Sequence, residues 1–103
     1  MVTLCIRYTI DANKLADFEA YSKAIAGPIA RCGGKVAGYY MPTKLAGPTN
    51  IAIGLIDFLN LAAYEDYRAK LLADPGNVEA IRRAEATNCI LNEDRSFLRN
   101  VAA

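Results

Sequence analysis

"RCGGKVAGYYMPTKLAGPTNIAIGLIDF", residues 31–58, decides the fold. Two apolar runs flank a loop rich in proline and glycine. Gly33-Gly34 ends whatever helix precedes it, because glycine takes the left-handed backbone of a helix stop without a side-chain clash. "KVAGYYM", residues 35–41, predicts a strand, and "PTKLAGPTN" predicts a hairpin-type loop, long for its kind. "IAIGLIDF", residues 51–58, predicts the next strand and is apolar on both faces until Asp57. A strand of this type is normally covered on both sides. Helices of the same chain can cover one side. In a chain of 103 residues, the other side calls for a second copy.

Towards the N-terminus, residues 2–9 alternate. Val2, Leu4, Ile6 and Tyr8 point one way, and Thr3, Cys5, Arg7 and Thr9 the other, as in a half-buried strand. Asp11 is placed to cap the helix that follows. On that helix Leu15, Phe18, Ile25, Ile29 and Cys32 fall near one face, with Tyr21 at its margin. Pro28 lacks the amide hydrogen of the helical ladder, so Gly27-Pro28 is expected to kink or break it, with one more turn running to Cys32.

Towards the C-terminus, Asn60 is a good N-cap for "LAAYEDYRAKLLA". The expected inner stripe is Leu61, Tyr64, Leu71 and Leu72, with the stem of Arg68 alongside. Asp74-Pro75 reads as a cap and an N1 proline, opening a further short helix. Val78, Ile81 and Ala84 are its expected inward residues. "NCILNEDRSFLRN", residues 88–100, predicts a last strand, irregular around Glu93-Asp94. Arg95, Phe97 and Arg99 share one face of its second half.

The order β-α-β-β-α-(α)-β is the ferredoxin-like arrangement. The fold class is therefore α+β, with helices on one face of a four-stranded antiparallel sheet. The other face is open, and two such sheets packed face to face would cover it. The first and third strands are expected at the centre and oriented alike, which would bring Arg7 and Asp57 to the same end of the sheet. The length indicates one domain over residues 1–103.

Composition agrees with self-association. Apolar residues make up 53% of the chain, above the roughly 45–50% of ordinary domains. Twelve basic residues stand against eleven acidic ones, so there is no basic footprint for nucleic acid or an anionic membrane. No run approaches the roughly 18 apolar residues of a membrane span. The first residues enter a strand directly, with no leader pattern, which makes the cytoplasm the expected location. Three widely spaced cysteines offer neither a zinc site nor a disulfide framework. Histidine is absent, which removes Ser-His and Cys-His pairs and proximal-histidine haem ligation. Neither a metal nor a cofactor is expected.

Four segments, in order and spacing, resemble the NIPSNAP family of the dimeric α+β barrel superfamily: "IRYTIDANKLADFEAYSK", "PIARCGGKVAGYY", "LIDFLNLAAYEDYRAKLLADP" and "RSFLRNV". The resemblance covers nearly the whole chain. It implies a homodimer whose two sheets enclose a barrel, and a biochemical role that is poorly defined. Arg7 matches an arginine the family tends to carry in its first strand, and Arg99 that of its closing "FLR" segment. Many members have a histidine in the third strand, where this chain has Gly54 or its neighbour, and tryptophans there and after the Asp-Pro step. This chain has no His and no Trp, so activities resting on those residues do not carry over.

The candidate ligand-binding residues are Arg7, Tyr40, Asp57 and Arg95. Arg7 shares a face with Thr3, Cys5 and Thr9, and a cation there must be paired or bind an anion. It can anchor a carboxylate or enolate, or pair across a dimer interface. Asp57 is a partner for Arg7 or a capping carboxylate rather than a general base. Tyr39 and Tyr40 point to opposite faces, so one of them, with Tyr40 as the candidate, can offer a phenol to a ligand. Arg95 flanks Phe97 at the sheet edge, where charge also discourages stray strand pairing. Two functions remain: a non-enzymatic binding or assembly protein acting as a homodimer or higher oligomer, or a cofactor-independent enzyme holding an acidic or enolisable small molecule near Arg7.

Overall fold

The alternation in the first strand settles how the sheet is used. In the computed structural model, which describes residues 1–102, β1 spans Val2–Ile10. Leu4, Ile6, Tyr8 and Ile10 are buried on its inner face. The elements that follow are α1 (Leu15–Arg31), β2 (Lys35–Tyr40), β3 (Ile51–Phe58), α2 (Leu61–Ala73), α3 (Pro75–Thr87) and β4 (Ile90–Leu98). The sheet order is β2-β3-β1-β4, with every adjacent pair antiparallel. This is the ferredoxin-like fold. The molecule measures 37 × 35 × 18 Å, the thickness of one sheet and one layer of helices.

The core lies between these layers. Phe18, Ile25 and Ile29 of α1 pack with Leu4, Ile6 and Tyr8 of β1 and with Ala52, Ile56 and Phe58 of β3. The Tyr8 and Phe18 ring centroids are 4.8 Å apart. Ile51, Ile53, Leu55 and Asp57 alternate with the buried set on β3 and occupy the opposite, open face.

The antiparallel pairing corrects one expectation. Arg7 lies opposite Ile53, and Asp57 lies opposite Thr3. The two are therefore four residues apart along the sheet, about 13 Å, and do not share an end. Two central strands of this fold are joined through an intervening strand, and that connection reverses their direction.

The helix α1 differs from expectation at its start and at Pro28, while its last turn runs on to the Cys32 cap as read. Asp11 does not cap it: its Oδ1 accepts from the N–H of Asn13 at 2.9 Å, and Lys14 occupies the cap position without a side-chain cap. Pro28 does not break it, and the helix continues to Arg31. The Pro28 carbonyl still accepts from the Cys32 N–H at 3.0 Å, and its ring is buried, so packing compensates for the missing donor. The stop is as read. Gly33 has φ 108°, and the N–H groups of Gly34 and Gly33 return to the carbonyls of Ile29 and Ala30 at 3.0 and 3.3 Å, a Schellman motif.

Gly34 has a second role. A Cβ there would stand 2.8 Å from Ile29 Cγ2, 3.0 Å from Ile56 Cγ2 and 3.2 Å from Tyr67 Cε1. Gly34→Ala is expected to destabilise the fold by about 1–3 kcal/mol through overpacking, read as a lowered urea midpoint at unchanged slope.

Asn60 caps α2, accepting from the Ala63 N–H at 2.9 Å. The inner stripe is rotated from the expected one. Tyr67 and Leu71 are buried, while Leu61 and Leu72 are mostly exposed. Rings decide this, because they bury more area than leucines: Phe58 packs on Tyr67 at 4.7 Å and edge-on to Tyr64 at 5.3 Å. On α3 the buried residues are Asn77, Ala80 and Ala84, and Val78 is exposed. Small residues let α3 lie close against α1, and Asn77 Nδ2 donates to the Leu71 carbonyl at 2.9 Å. The irregularity of β4 falls near Leu91 rather than at Glu93-Asp94, since Thr9 pairs with Asn92 and Ile10 with Ile90.

Asp74 ties three helices together. Its Oδ1 accepts from the N–H groups of Gly76 and Asn77 at 2.8 and 3.1 Å, and Arg31 Nη2 donates to it at 3.0 Å. The Arg31 hydrogen bond, aided by these backbone donors and opposed by desolvation, holds the Asp74 carboxyl below the usual carboxylate range. A depressed carboxyl contributes stability that is present above its unfolded pKa, about 3.9, and is lost as pH falls through the folded value. Asp74→Asn should therefore melt below the parent at neutral pH, with the gap closing on acidification below about pH 4. A gap independent of pH would contradict the assignment.

Candidate functional site

Between the sheet and the helices lies a cavity of about 350 Å³. Its apolar wall includes Ile6, Ile25, Ile29, Ile56, Leu71 and Ile81. Four phenols enter it, from Tyr8 on β1, Tyr21 on α1, Tyr39 on β2 and Tyr67 on α2. Its charged residues are Arg68, Glu85, Glu93 and Arg95.

The strand registers explain which side chains arrive. A bulge in β2 sets Val36 opposite Ile56 and Gly38 opposite Leu55, which turns Tyr39 towards the helices. Tyr39 lies opposite Gly54, where a Cβ would stand 2.8 Å from its ring. Glycine in β3 thus leaves room for the tyrosine. The Tyr8 and Tyr39 hydroxyls are 3.2 Å apart. On β4, Glu93 lies opposite Tyr8 and Arg95 opposite Ile6, so both face the helices.

Electrostatics separate packing groups from reactive ones. Burial pushes the phenols of Tyr8, Tyr21, Tyr39 and Tyr67 up from their ordinary value. Neighbouring phenols add to this for Tyr8, Tyr21 and Tyr67, and the Glu93 charge adds to it for Tyr8, Tyr21 and Tyr39. They are hydrogen-bond donors at neutral pH and not bases. Arg95 Nη2 donates to Glu93 Oε2 at 3.1 Å. Desolvation opposes the Arg95 charge, but the hydrogen bond and charge of Glu93 outweigh it and hold the guanidinium above its ordinary value.

Of the four residues singled out from the sequence, only Arg95 lines this cavity. Arg7 lies on the open face, exposed, with Nη1 3.9 Å from Asp94 Oδ2. Asp57, also on that face, accepts from the Thr3 hydroxyl at 2.5 Å. Tyr40 is opposite Ile53 and 55% exposed, covering Gly38, where a Cβ would stand 2.6 Å from its ring. Tyr21, Tyr67, Glu93 and Arg68 were not recognised as site residues. The alternation of β1 places Tyr8 inward, but nothing local marks which phenols converge.

A second hollow, about 320 Å³, lies between α1 and α3 among Ala20, Ala24, Ala80 and Ala84. Its Arg82 and Arg83 are both held by Glu79, at 2.7 and 3.0 Å. Cys32 and Cys89 are buried and Cys5 half-buried, all as free thiols. Among the described residues no helix is long and apolar enough to cross a membrane, and no three His, Cys, Asp or Glu side chains are grouped to hold a metal ion.

Similar proteins share this frame. Protein Atu4242 from Agrobacterium tumefaciens is 17% identical, over 96% of this chain and 92% of its own, with a TM-score of 0.84. A NIPSNAP domain protein from Burkholderia xenovorans is 19% identical, over 99% and 96%, with a TM-score of 0.81. SnoaB, a cofactor-independent oxygenase from Streptomyces nogalater, is 18% identical, over 99% and 94%, with a TM-score of 0.67. No curated protein matches the chain. At these identities the likenesses speak for the fold alone. The NIPSNAP family model, however, matches residues 3–103, and with that match the chain belongs to the NIPSNAP family.

Proposed function

We propose that this NIPSNAP protein is a homodimer that binds a small, largely apolar molecule in the cavity between sheet and helices, without acid–base chemistry of its own. The observation that carries the reading is the cavity. At about 350 Å³ it falls within the roughly 300–1,000 Å³ of ligand sites, and it joins apolar walls to a few polar groups. A general base must lie near a substrate proton and be free to take it. The four phenols stay protonated, and Glu93 is engaged by Arg95. On this reading Arg7, Tyr40 and Asp57 belong to the face between the two copies, and the dimer resides in the cytoplasm.

A second reading, a cofactor-independent enzyme, draws support from the fold shared with SnoaB over 99% of this chain. The acidic or enolisable ligand then sits among the cavity residues, Arg95 included, rather than near Arg7. A fluorescence titration with 2-naphthol tests the binding site. One saturable site per chain is expected, weakened in Ile81→Trp, where the added ring narrows the mouth. A folded protein that binds the probe without saturation sinks the reading. Oxygen uptake with enolisable aromatic ketones, absent for the binding protein, is the result that would favour the enzyme.

A further inference from the structure

The cavity contains two arginines in different electrostatic states. Arg95 is already neutralised by Glu93 at 3.1 Å. Arg68, half-buried on α2, has no carboxylate within 4.0 Å and no hydrogen-bond partner among the described residues. The remaining acid of the lining, Glu85, is exposed and likewise has no ion pair among those residues. Arg68 shares the cavity lining with Leu71 and Leu72, three and four residues on along α2, and with Ile81 of α3, of which Leu72 and Ile81 are exposed. A guanidinium half out of water and beside apolar surface attracts an anion more strongly than one in bulk solvent, and its forked donors match a carboxylate.

We propose that Arg68 anchors the acidic group of an apolar carboxylic acid whose hydrocarbon body fills the cavity. This rests on the cavity being the binding site, and it names the ligand class. Arg95 leaves that role to Arg68, because an anion approaching Arg95 must compete with Glu93 or meet its repulsion. The Glu93–Arg95 pair and the tyrosyl hydroxyls then contact the body and edge of the ligand, and the acid group stays at Arg68.

Two probes of one shape test this: 2-naphthoate, which is charged at neutral pH, and 2-naphthamide, which is not. Naphthoate is expected to bind the parent about tenfold more tightly, as for a hydrogen bond to a charged group. Arg68→Met should remove that preference, weakening naphthoate far more than naphthamide, a pattern that simple loss of structure does not produce. Arg68→Lys should restore part of it. The double variant Glu93→Gln/Arg95→Met removes the second pair without changing net charge and should keep the preference. A parent that binds both probes equally, or an Arg68→Met variant that still prefers naphthoate, overturns the proposal while leaving the cavity as a site. If neither probe binds the folded parent, the cavity reading and this proposal are both overturned.

Discussion

Phe18→Ala is expected to lower the unfolding free energy by about 3–5 kcal/mol, measured as a shift of the urea midpoint at constant slope. Phe18 is fully buried. It is the hinge of an aromatic cluster, with Tyr8 at 4.8 Å and Tyr21 at 5.8 Å between ring centroids. Removing the ring deletes its transfer free energy and leaves a void whose neighbours can only partly close in. Domains of this size are stable by only about 5–15 kcal/mol, so the variant loses a large part of what holds it folded. Tyr8 and Tyr21 also line the cavity, and ligand affinity should fall with stability. A loss below about 1 kcal/mol would mean that the α1–sheet contact is not the centre of the core, since buried Phe truncations rarely cost so little.

If two copies pair sheet to sheet as proposed, Leu55→Lys is expected to convert that dimer to a folded monomer. Leu55 sits on the open face of β3, opposite Cys5 on β1 and Gly38 on β2. In one chain a lysine there can extend its ammonium to water along its own stem, so far-UV circular dichroism should be unchanged. Between two sheets, both copies would bury an unpaired charge at a penalty of several kcal/mol per ion, raising the dimer dissociation constant by about a hundredfold or more. Light scattering should give twice 11.2 kDa for the parent and the single-chain mass for the variant at micromolar concentration. If the variant dimerises as the parent does, the interface lies elsewhere. If the parent is itself a stable monomer, the sheet-to-sheet pairing is wrong.

Much of the fold was legible in local chemistry. Alternation in residues 2–9, the Gly33-Gly34 stop, the Asn60 and Asp74 caps and the two-faced apolar run of β3 each report on a few neighbouring residues, and each appears as read. The less regular helices were harder. Leu61, Leu72 and Val78 fit an apolar stripe by composition, yet Tyr67, Asn77 and Ala80 are buried instead. Which side of a short, mixed helix turns inward depends on the surface that receives it, here the Phe58 ring for α2 and the close approach of α1 for α3.

The candidate site was the least legible part. By itself the sequence determined the element order, the open apolar face and the absence of histidine chemistry, because these follow from residue type and short-range spacing. The antiparallel run of β1 and β3, which separates Arg7 from Asp57, was already implied by the antiparallel ferredoxin-like sheet and contradicts the expectation that they are oriented alike. Only the tertiary structure decided that Asp94 is the carboxylate near Arg7. It also decided that Tyr39 rather than Tyr40 enters the cavity. Both β3 faces are apolar, so no pattern distinguishes them. A single-residue bulge in β2 reverses which tyrosine points inward, since strand side chains alternate with period two. The pairing of Arg95 with Glu93 two residues earlier follows strand alternation, but the lack of an acid partner for Arg68 was invisible. Alternation along β4 places Glu93 on the same face as Arg95, whereas only the packing of α2 shows that no carboxylate of the described residues comes within reach of Arg68.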